Sequence, residues 1–367
     1  MRTRAGHLVV TPGVTGTDGI AFVSRLVVRA LEPPSAGTAA PVEVLSMADS
    51  PGSAPVTRAL GRIVLSGAAG RKLRFIALSV RRTLAGPRPS NTVCLHLRLS
   101  PVARLVTGAR GRLVVFLHGI EAWKPLGPLE RWALGRADVL VANSGHTARR
   151  FRQANPGFSR RPIAVCHLGV GAADAARSAS VGARDVAGPF ALIVGRLAGS
   201  ERYKGHDVLI HLWPRIRDEV PDARLVVAGE GDDRARLEAK AAPLGSHVRF
   251  LGRVSDQALD ALYRDCAFFV MPSRDEGFGL VFLEAMRAGK ACIGGAGAAA
   301  EIIEDGVTGL VVDATDTDEV AKAIVRLFLE PETRARMGRA GAERLGCQFT
   351  EVHFRRRFRA ILGLGAP

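Results

Sequence analysis

The sequence lacks most of what marks a small secreted, metal-stapled or membrane-spanning protein. Its five cysteines (Cys94, Cys166, Cys266, Cys292 and Cys347) are odd in number and widely spaced, with no Cys-x-x-Cys pair. Neither a disulfide framework nor a zinc site is indicated, and reduced thiols in a cytosolic chain are the expectation. No apolar run reaches the roughly 18–20 residues needed to cross a bilayer. The N-terminal MRTRAGHLVVTPGVTG starts basic, but its apolar run breaks at Pro12 and Gly13. That is too short for a secretory signal, so it reads as a first strand entering a loop. Aromatic residues make up only 5% of the chain, which disfavours a nucleic-acid surface built on stacking. Lysine is scarce, occurring only at positions 72, 124, 204, 240, 290 and 322.

What is present is apolar, glycine-rich and basic. The 367 residues are 47% hydrophobic with 41 glycines, enough for two cores. Frequent Gly and Ala suit an α/β protein with many tight strand-to-helix turns. The net charge of +16 favours polyanions: nucleic acid, anionic lipid or phosphorylated ligands. Abundant Arg and Ala also follow from GC-rich coding, so charge alone identifies no partner.

The second half alternates strands and helices. Strands are expected at 190–194, 224–228, 248–251, 267–271 and 291–293. Helices are expected at about 205–218, 232–243, 256–265 with Asp256 as cap, 279–288 and 318–329. Such alternation implies a parallel, doubly wound sheet. In the first half, strands are expected at 7–11, 42–46, 92–96, 112–117, 138–142 and 163–167, and helices at 19–31, 57–67, 71–84, 127–135 and 146–154. The small, polar stretch 169–188 reads as a linker between Rossmann-like domains at 1–168 and 189–345.

The stretch SRDEGFGLVFLEAM, residues 273–286, follows the strand AFFVMP. It therefore lies at the carboxyl end of a parallel strand, where open α/β sheets bind ligands. Gly277 and Gly279 allow a tight turn, and the helix expected from Phe278 offers free N–H groups to an anion. Glu276 would sit just before that helix and Glu284 two turns into it, so the pair cannot share one face as a proton-sharing dyad. One glutamate meeting each end of an extended ligand and a capping acid plus a solvated helix residue both fit the spacing. Arg196 leaves the end of the first strand of this half, and Lys204 precedes the next helix. Two such cations would neutralise a diphosphate, or they are two surface bases of an Arg-rich chain.

Together with "VGRL…KGHDVLI", "LVVAGEGDDRARLEAKA…VRFLGRVSD" and "EIIEDGVTGLVVD", these elements resemble the GT-B glycosyltransferases of the retaining group known as family 4. That group includes sucrose synthases, phosphatidylinositol mannosyltransferases and many polysaccharide-building enzymes. The resemblance spans the whole second domain. It implies an α/β GT-B fold, two Rossmann-like domains facing across a cleft, with a terminal helix at 346–367 packing back on the first domain. Residue by residue, Arg196 and Lys204 match the diphosphate-binding pair, Glu284 the glutamate on the donor ribose, and Glu276 the one beside the transferred sugar. The backbone amides of Phe278, Gly279 and Leu280 match the segment on sugar and phosphate, and Gly252, Arg253 and Val254 the loop where the base stacks. The stretch Gly297-Ala-Ala-Ala-Glu301 departs from the family's usual Gly/Pro-containing turn, which puts the local loop shape in doubt.

The first domain resembles the family more weakly. Thr11-Pro-Gly-Val-Thr-Gly16-Thr-Asp-Gly19 follows the first strand and is not the dinucleotide G-x-G-x-x-G. Gly16 and Gly19 match the family's glycine loop, which closes over the diphosphate from the acceptor side. His118 ends a strand where the family often has a histidine near the donor sugar, although a lone histidine is more often structural. The strand before Asn143 and Ser144 resembles the one near the acceptor cleft.

Asp316-x-Asp318 precedes a helix, where Asp is an ordinary cap, so no metal or other cofactor is expected. The resemblance also implies that cations and helix ends stabilise the leaving diphosphate. Two stretches suit a membrane surface: 71–82, with Arg71, Lys72, Arg74, Arg81 and Arg82 among Leu73, Phe75, Ile76, Leu78 and Val80, and 349–359, which also fits the terminal helix.

The expectation is a retaining hexosyltransferase. It would use a UDP- or GDP-linked sugar and a lipid-linked or glycan acceptor, in cell-envelope or exopolysaccharide synthesis. It would be cytoplasmic, with peripheral contact to the anionic inner face of the plasma membrane. The alternatives are a nucleotide-sugar epimerase of related fold and a nucleic-acid-binding protein. The first lacks this paired-glutamate context, and the second fits poorly with few aromatics and the glycine-loop architecture.

Overall fold

A computed structural model of the chain describes residues 5–32, 40–50, 63–108, 111–171 and 188–365. It divides into two compact units, Met1–Leu168 with Glu351–Pro367, and Gly169–Thr350.

The first unit holds a seven-stranded sheet of β1 (Ala5–Thr11), β2 (Val42–Ser46), β3 (Ile63–Gly67), β4 (Pro89–Cys94), β5 (Arg112–Leu117), β6 (Val139–Ala142) and β7 (Ile163–Val165). The strand order is β3-β2-β1-β4-β5-β6-β7, parallel throughout. Its helices are α1 (Gly19–Leu31), α2 (Lys72–Ala85), α3 (Ser100–Thr107), α4 (Pro128–Gly135) and α5 (Gly145–Ala154). Consecutive residues of the inner strands are buried, as in Leu8-Val9-Val10 and Leu113-Val-Val-Phe-Leu117. Runs of this kind, rather than alternation, are what a parallel sheet covered on both faces requires.

The second unit holds β8 (Phe190–Val194), β9 (Arg224–Ala228), β10 (Val248–Gly252), β11 (Phe268–Met271), β12 (Cys292–Gly295) and β13 (Gly309–Val312). They form a parallel sheet in the order β10-β9-β8-β11-β12-β13. Its helices are α6 (His206–Glu219), α7 (Arg234–Ala241), α8 (Asp256–Asp265), α9 (Leu280–Arg287), α10 (Ala299–Ile302), α11 (Thr317–Leu329) and α12 (Pro331–Gln348). In both sheets the strand order reverses next to the first strand, between β1 and β4 and between β8 and β11. Loops leaving the carboxyl ends of these strands are held apart there, which opens a crevice for a ligand.

The last helix, α13 (Glu351–Leu362), belongs to the first unit. Glu351 pairs with Arg29 at 3.0 Å, and buried Arg359 donates to the carbonyls of Ala30 at 3.1 Å and Glu32 at 3.2 Å. Phe354 and Phe358 are fully buried and stack on each other, with Phe358 also against Phe116. The apolar side of this helix is thus occupied by the protein's own core.

Several boundaries differ from expectation. Residues 63–67 are strand β3 rather than the end of a helix over 57–67, and residues 57–62 lie outside those described. Ile63-Val-Leu65 carries β-branched side chains that suit a pleated edge, and so short an apolar run has no period of its own. Helix α3 was not anticipated. Helix α12 runs through the expected domain end at 345, so a single terminal helix does not begin at 346. Most of the expected linker, 172–187, lies outside the described residues. Asp256 is the first helical residue, not the cap; Ser255 Oγ accepts from the Ala258 N–H at 3.2 Å. The Ala-rich departure near Glu301 forms the short helix α10.

Candidate active site

Strand β8 delivers Arg196 at its carboxyl end, and the turn 199–204 brings Lys204 back beside it. At Gly195 an added Cβ would stand 3.3 Å from Lys204 Cδ and 3.5 Å from its Nζ, so the glycine leaves the lysine room to lie along the strand end. Gly205 has φ of 95° and starts α6, and a Cβ there would meet Pro272 at 2.8 Å. Only glycine combines that left-handed backbone with so close an approach to the end of β11.

Between the two cations lies Glu201, which sequence reasoning did not single out. One carboxylate oxygen pairs with Arg196, and the other is 2.6 Å from Lys204 Nζ. The Glu201 and Lys204 side chains are 11% and 16% exposed, whereas Arg196 is 68% exposed and reaches toward solvent. The turn itself is tied down. Gly199 N–H donates to Asp232, Arg202 pairs with buried Asp233 at 2.9 Å, and Arg236 bridges Asp233 and Asp207. Lys204 is therefore pre-positioned before any anion arrives. An acid three residues before a lysine, in a turn that follows Gly-Arg, is the sequence signal that could have revealed Glu201.

The end of β11 supplies Glu276. Burial pushes its carboxyl up, while Lys204 and the N–H groups of Phe278 and Gly277 pull it back down. The Gly277 N–H donates to Oε1 at 3.1 Å. Lys204 thus lies in the field of both Glu201 and Glu276, which joins three of the sequence-derived and structure-derived positions into one cluster. Helix α9 starts at Leu280, slightly later than expected, after Gly279 in the left-handed region with φ of 96°. A Cβ on Gly279 would meet Phe282 at 2.6 Å and Glu276 Cγ at 3.4 Å. Glu284 consequently sits just over one turn into the helix rather than two. It is not part of the Lys204 cluster. Tyr263 Oη, from α8, donates to its Oε2 at 2.9 Å. Burial raises the Glu284 carboxyl, and the Tyr263 bond and Arg287 oppose that rise. Tyr263 is almost fully buried and was also missed by the sequence.

Gly252 ends β10 with φ of 70°, and its carbonyl accepts from Gly229 N–H at 2.9 Å. Arg253 after it is exposed and Val254 half-buried. At the ends of β8 and β11, His206 Nε2 and Ser273 Oγ are buried without hydrogen-bond partners. Orphaned buried polar atoms of this kind call for an explanation, and a polar ligand is one.

In the first unit, the loop after β1 is held from two sides. Asp49 accepts from Val14 N–H at 2.8 Å and from Thr15 N–H at 3.1 Å, and also from the Thr15 hydroxyl. Burial raises this carboxyl, but the bonds from Ser46, Thr15 and the backbone outweigh it and leave it lowered. Arg25 donates to the carbonyls of Val14 and Gly16, each at 2.8 Å. A Cβ on Gly16 would stand 3.0 Å from Asp18 Oδ2, whereas Gly19 has open space around it. The loop is therefore anchored rather than a loose flap. Asp18 caps α1 through Ile20 and Ala21, both at 2.9 Å.

His118 leaves the end of β5 and stacks on Phe116 with centroids 4.7 Å apart. Its backbone N–H donates to Glu121 Oε1 at 2.8 Å, and its backbone carbonyl accepts from Asn143 Nδ2 at 2.6 Å. Its Nε2 is buried without a partner. Burial lowers its pKa to about 4; Glu121 opposes this and His96 adds to it. The Asp-x-Asp residues have structural work. Asp316 caps α11 through Asp318 and Glu319 N–H, and Asp318 pairs with Arg215.

His206 is also lowered to about 4, by burial first and then by Lys204. Both histidines have folded values below the ordinary one near 6.5. The stability they confer is whole above about pH 6.5 and is lost as pH falls toward 4, by at most about 1.4 kcal/mol per pH unit for each. Urea midpoints should drop across that window, and His206→Gln should make the drop shallower. An equally steep profile in the variant would remove His206 from the account.

Residues 178–344 match the family model described as "Glycosyl transferases group 1". The chain is 36% identical over 265 residues to a GDP-mannose-dependent alpha-(1-6)-phosphatidylinositol monomannoside mannosyltransferase of Mycolicibacterium smegmatis, covering 66% of this chain and 67% of that one. It is 34% identical over 272 residues to the protein of the same name from Mycobacterium tuberculosis, covering 68% and 69%. Among solved structures, Anabaena HepE in complex with UDP and glucose superposes with a TM-score of 0.75 at 20% identity, covering 98% of this chain and 100% of that one. Sucrose-phosphate synthase from Thermosynechococcus elongatus superposes with a TM-score of 0.76 at 20% identity, covering 98% of each chain. Two doubly wound units of this kind constitute the GT-B fold. The chain belongs to the group 1 glycosyl transferases and is a hexosyltransferase of the GT-B fold.

Proposed function

We propose that the protein moves a hexose from a nucleoside diphosphate sugar to a hydroxyl of a lipid-linked acceptor in cell-envelope synthesis, with retention at the anomeric carbon. The observation that carries this reading is the Arg196–Glu201–Lys204 cluster beside Glu276, at the ends of β8 and β11 where the sheet order reverses. Lys204 in a turn tied down by Asp232 and Asp233, with Arg196 at the strand end beside it, suits a departing diphosphate, because charge developing on the leaving group is met with little reorganisation. The relatives' names support guanosine as the base, mannose as the sugar and a phosphatidylinositol mannoside as the acceptor class.

In this reading the bond from the anomeric carbon to the diphosphate oxygen breaks while the acceptor oxygen bonds to the same face. The acceptor proton passes to the leaving phosphate. Glu276 orients the sugar hydroxyls and is not a nucleophile. Glu284, held by Tyr263, takes the ribose hydroxyls, and Gly252 to Val254 flank the base. The family match also assigns Gly16 and Gly19 to the diphosphate and His118 to the sugar. The enzyme works in the cytoplasm, at the inner membrane face where such acceptors are displayed.

Thermal melting with GDP, UDP and ADP tests the donor, because a ligand that binds only the folded state raises its stability. GDP should give the largest shift, and GDP-mannose should label a lipid acceptor. A shift with UDP alone would overturn the base, and sugar turnover without any acceptor would overturn the transfer.

A further inference from the structure

Lys204 already has an anion. Its Nζ lies 2.6 Å from Glu201 Oε2, and the other oxygen of that carboxylate pairs with Arg196. One carboxylate thus bridges the two cations proposed for the donor diphosphate, which is how a pair of phosphate oxygens would engage them. The contact with Lys204 is close but poorly aligned. Glu201 Oε2 is buried without a hydrogen-bond partner, so the approach of Lys204 is a charge contact that leaves the ammonium's N–H bonds to point at another acceptor.

The three side chains differ in their freedom to move. The Glu201 N–H donates to the Ala198 carbonyl at 2.8 Å, and Gly199 before it and Arg202 after it are tied to Asp232 and Asp233. Glu201 therefore cannot follow a cation out of the site. Lys204 is confined beside Gly195 and is 16% exposed, whereas Arg196 is 68% exposed and can swing away. A diphosphate arriving here meets Lys204 with Glu201 still in place. With Glu276 ionised, Arg196 and Lys204 are balanced by two carboxylates before any ligand arrives. The like charges repel, and the repulsion weakens the hold on any phosphate at Lys204. A site that gripped the diphosphate without this opposition would grip product as firmly as donor, and release limits turnover in many enzymes.

We infer that Glu201 is an internal competitor for Lys204, a residue that loosens the hold on the nucleoside diphosphate so that product leaves between turnovers. The inference rests on the reading of Arg196 and Lys204 as the partners of the diphosphate. Arg196 exchanges between Glu201 and the phosphate, while Lys204 stays in place and is shared.

Calorimetric titration with GDP and with inorganic pyrophosphate, which needs no base contact, tests it alongside steady-state kinetics with GDP-mannose. Glu201→Gln keeps the shape of the side chain and removes its charge. Both ligands should bind on the order of tenfold more tightly, the scale of one like charge removed beside an anion. KM should fall and kcat with it, as release slows. A carboxylate that only braces Lys204 gives the opposite, weaker binding and a higher KM. That result, unchanged affinity, or a kcat above the parent's would overturn the competitor. Lys204→Ala with Glu201→Gln should bind no better than Lys204→Ala, because the competition runs through Lys204, and an equal gain in both backgrounds would overturn it. Arg196→Gln with Glu201→Gln keeps the parent's local charge and serves if Glu201→Gln does not fold. It should bind more tightly than Arg196→Gln alone, and equal or weaker binding would again overturn the inference. If Lys204→Ala leaves affinity unchanged, the diphosphate reading falls and the competitor with it. A loss there without a gain in Glu201→Gln strikes the competitor alone.

Discussion

Replacing Lys204 with Ala should weaken nucleoside diphosphate binding by about 1.5–3 kcal/mol, the range for a charge-assisted hydrogen bond. It should also destabilise the free protein. Lys204 Nζ lies 2.6 Å from Glu201 and is the counter-charge that draws Glu276 back toward ionisation. Removing it leaves the nearly buried Glu201 with only the exposed Arg196 as a partner, and an under-compensated carboxylate is costly. The two effects separate in the double variant Lys204→Ala, Glu201→Gln. Its melting temperature should recover, because the stranded charge is gone. Its affinity for GDP should not, because the phosphate contact is still missing. Calorimetric titration reads the second quantity and thermal melting the first. Unchanged GDP affinity in a folded Lys204→Ala protein would refute the phosphate role outright.

The two glutamates should fail in different ways. Glu284→Ala removes the carboxylate that Tyr263 orients, so binding of GDP and of GDP-sugar should both fall, by an amount near that of one or two hydrogen bonds to a charged group, about 1.5–3 kcal/mol each. Glu276→Ala removes a carboxylate expected on the sugar, so GDP affinity should hold while transfer falls by on the order of a hundredfold or more. Measuring GDP affinity and turnover for both variants decides the matter. Equal losses of plain GDP binding would show that the two do not divide sugar and ribose between them. The structure already separates their surroundings: Glu276 answers to Lys204 and the turn amides, Glu284 to Tyr263 and Arg287.

Much of the architecture was legible because local chemistry writes it. Apolar runs such as Phe190–Val194 followed by glycine, then a helical period, are the pattern of a strand buried on both faces and its return helix. That alternation alone places Arg196 and Glu276 at carboxyl ends of parallel strands. Where local signal was weak, reading failed. Ile63–Gly67 is too short to show a period, and helix α3 is only eight residues long with Pro101 in its first turn.

The sequence by itself determined the alternation of strands and helices, the absence of a disulfide framework, the excess of arginine, and the positions of the cation pair and the two glutamates along the chain. Only the tertiary structure decided which charges meet. Glu201 clasps Lys204 and Arg196, Tyr263 holds Glu284 from 21 residues away, and Asp49 holds Val14 from 35 residues away. Side-chain pairs across such separations leave no periodic trace, since they depend on how elements pack and not on any element's own spacing. The same holds for α2. Its sequence announced an amphipathic helix, but two apolar sets compete along it, and the core has room for one. Packing on the sheet took Phe75 and Leu78 and left Leu73, Ile76, Val80 and Leu84 outside, because burial is settled by the neighbours a helix finds and not by the helix alone.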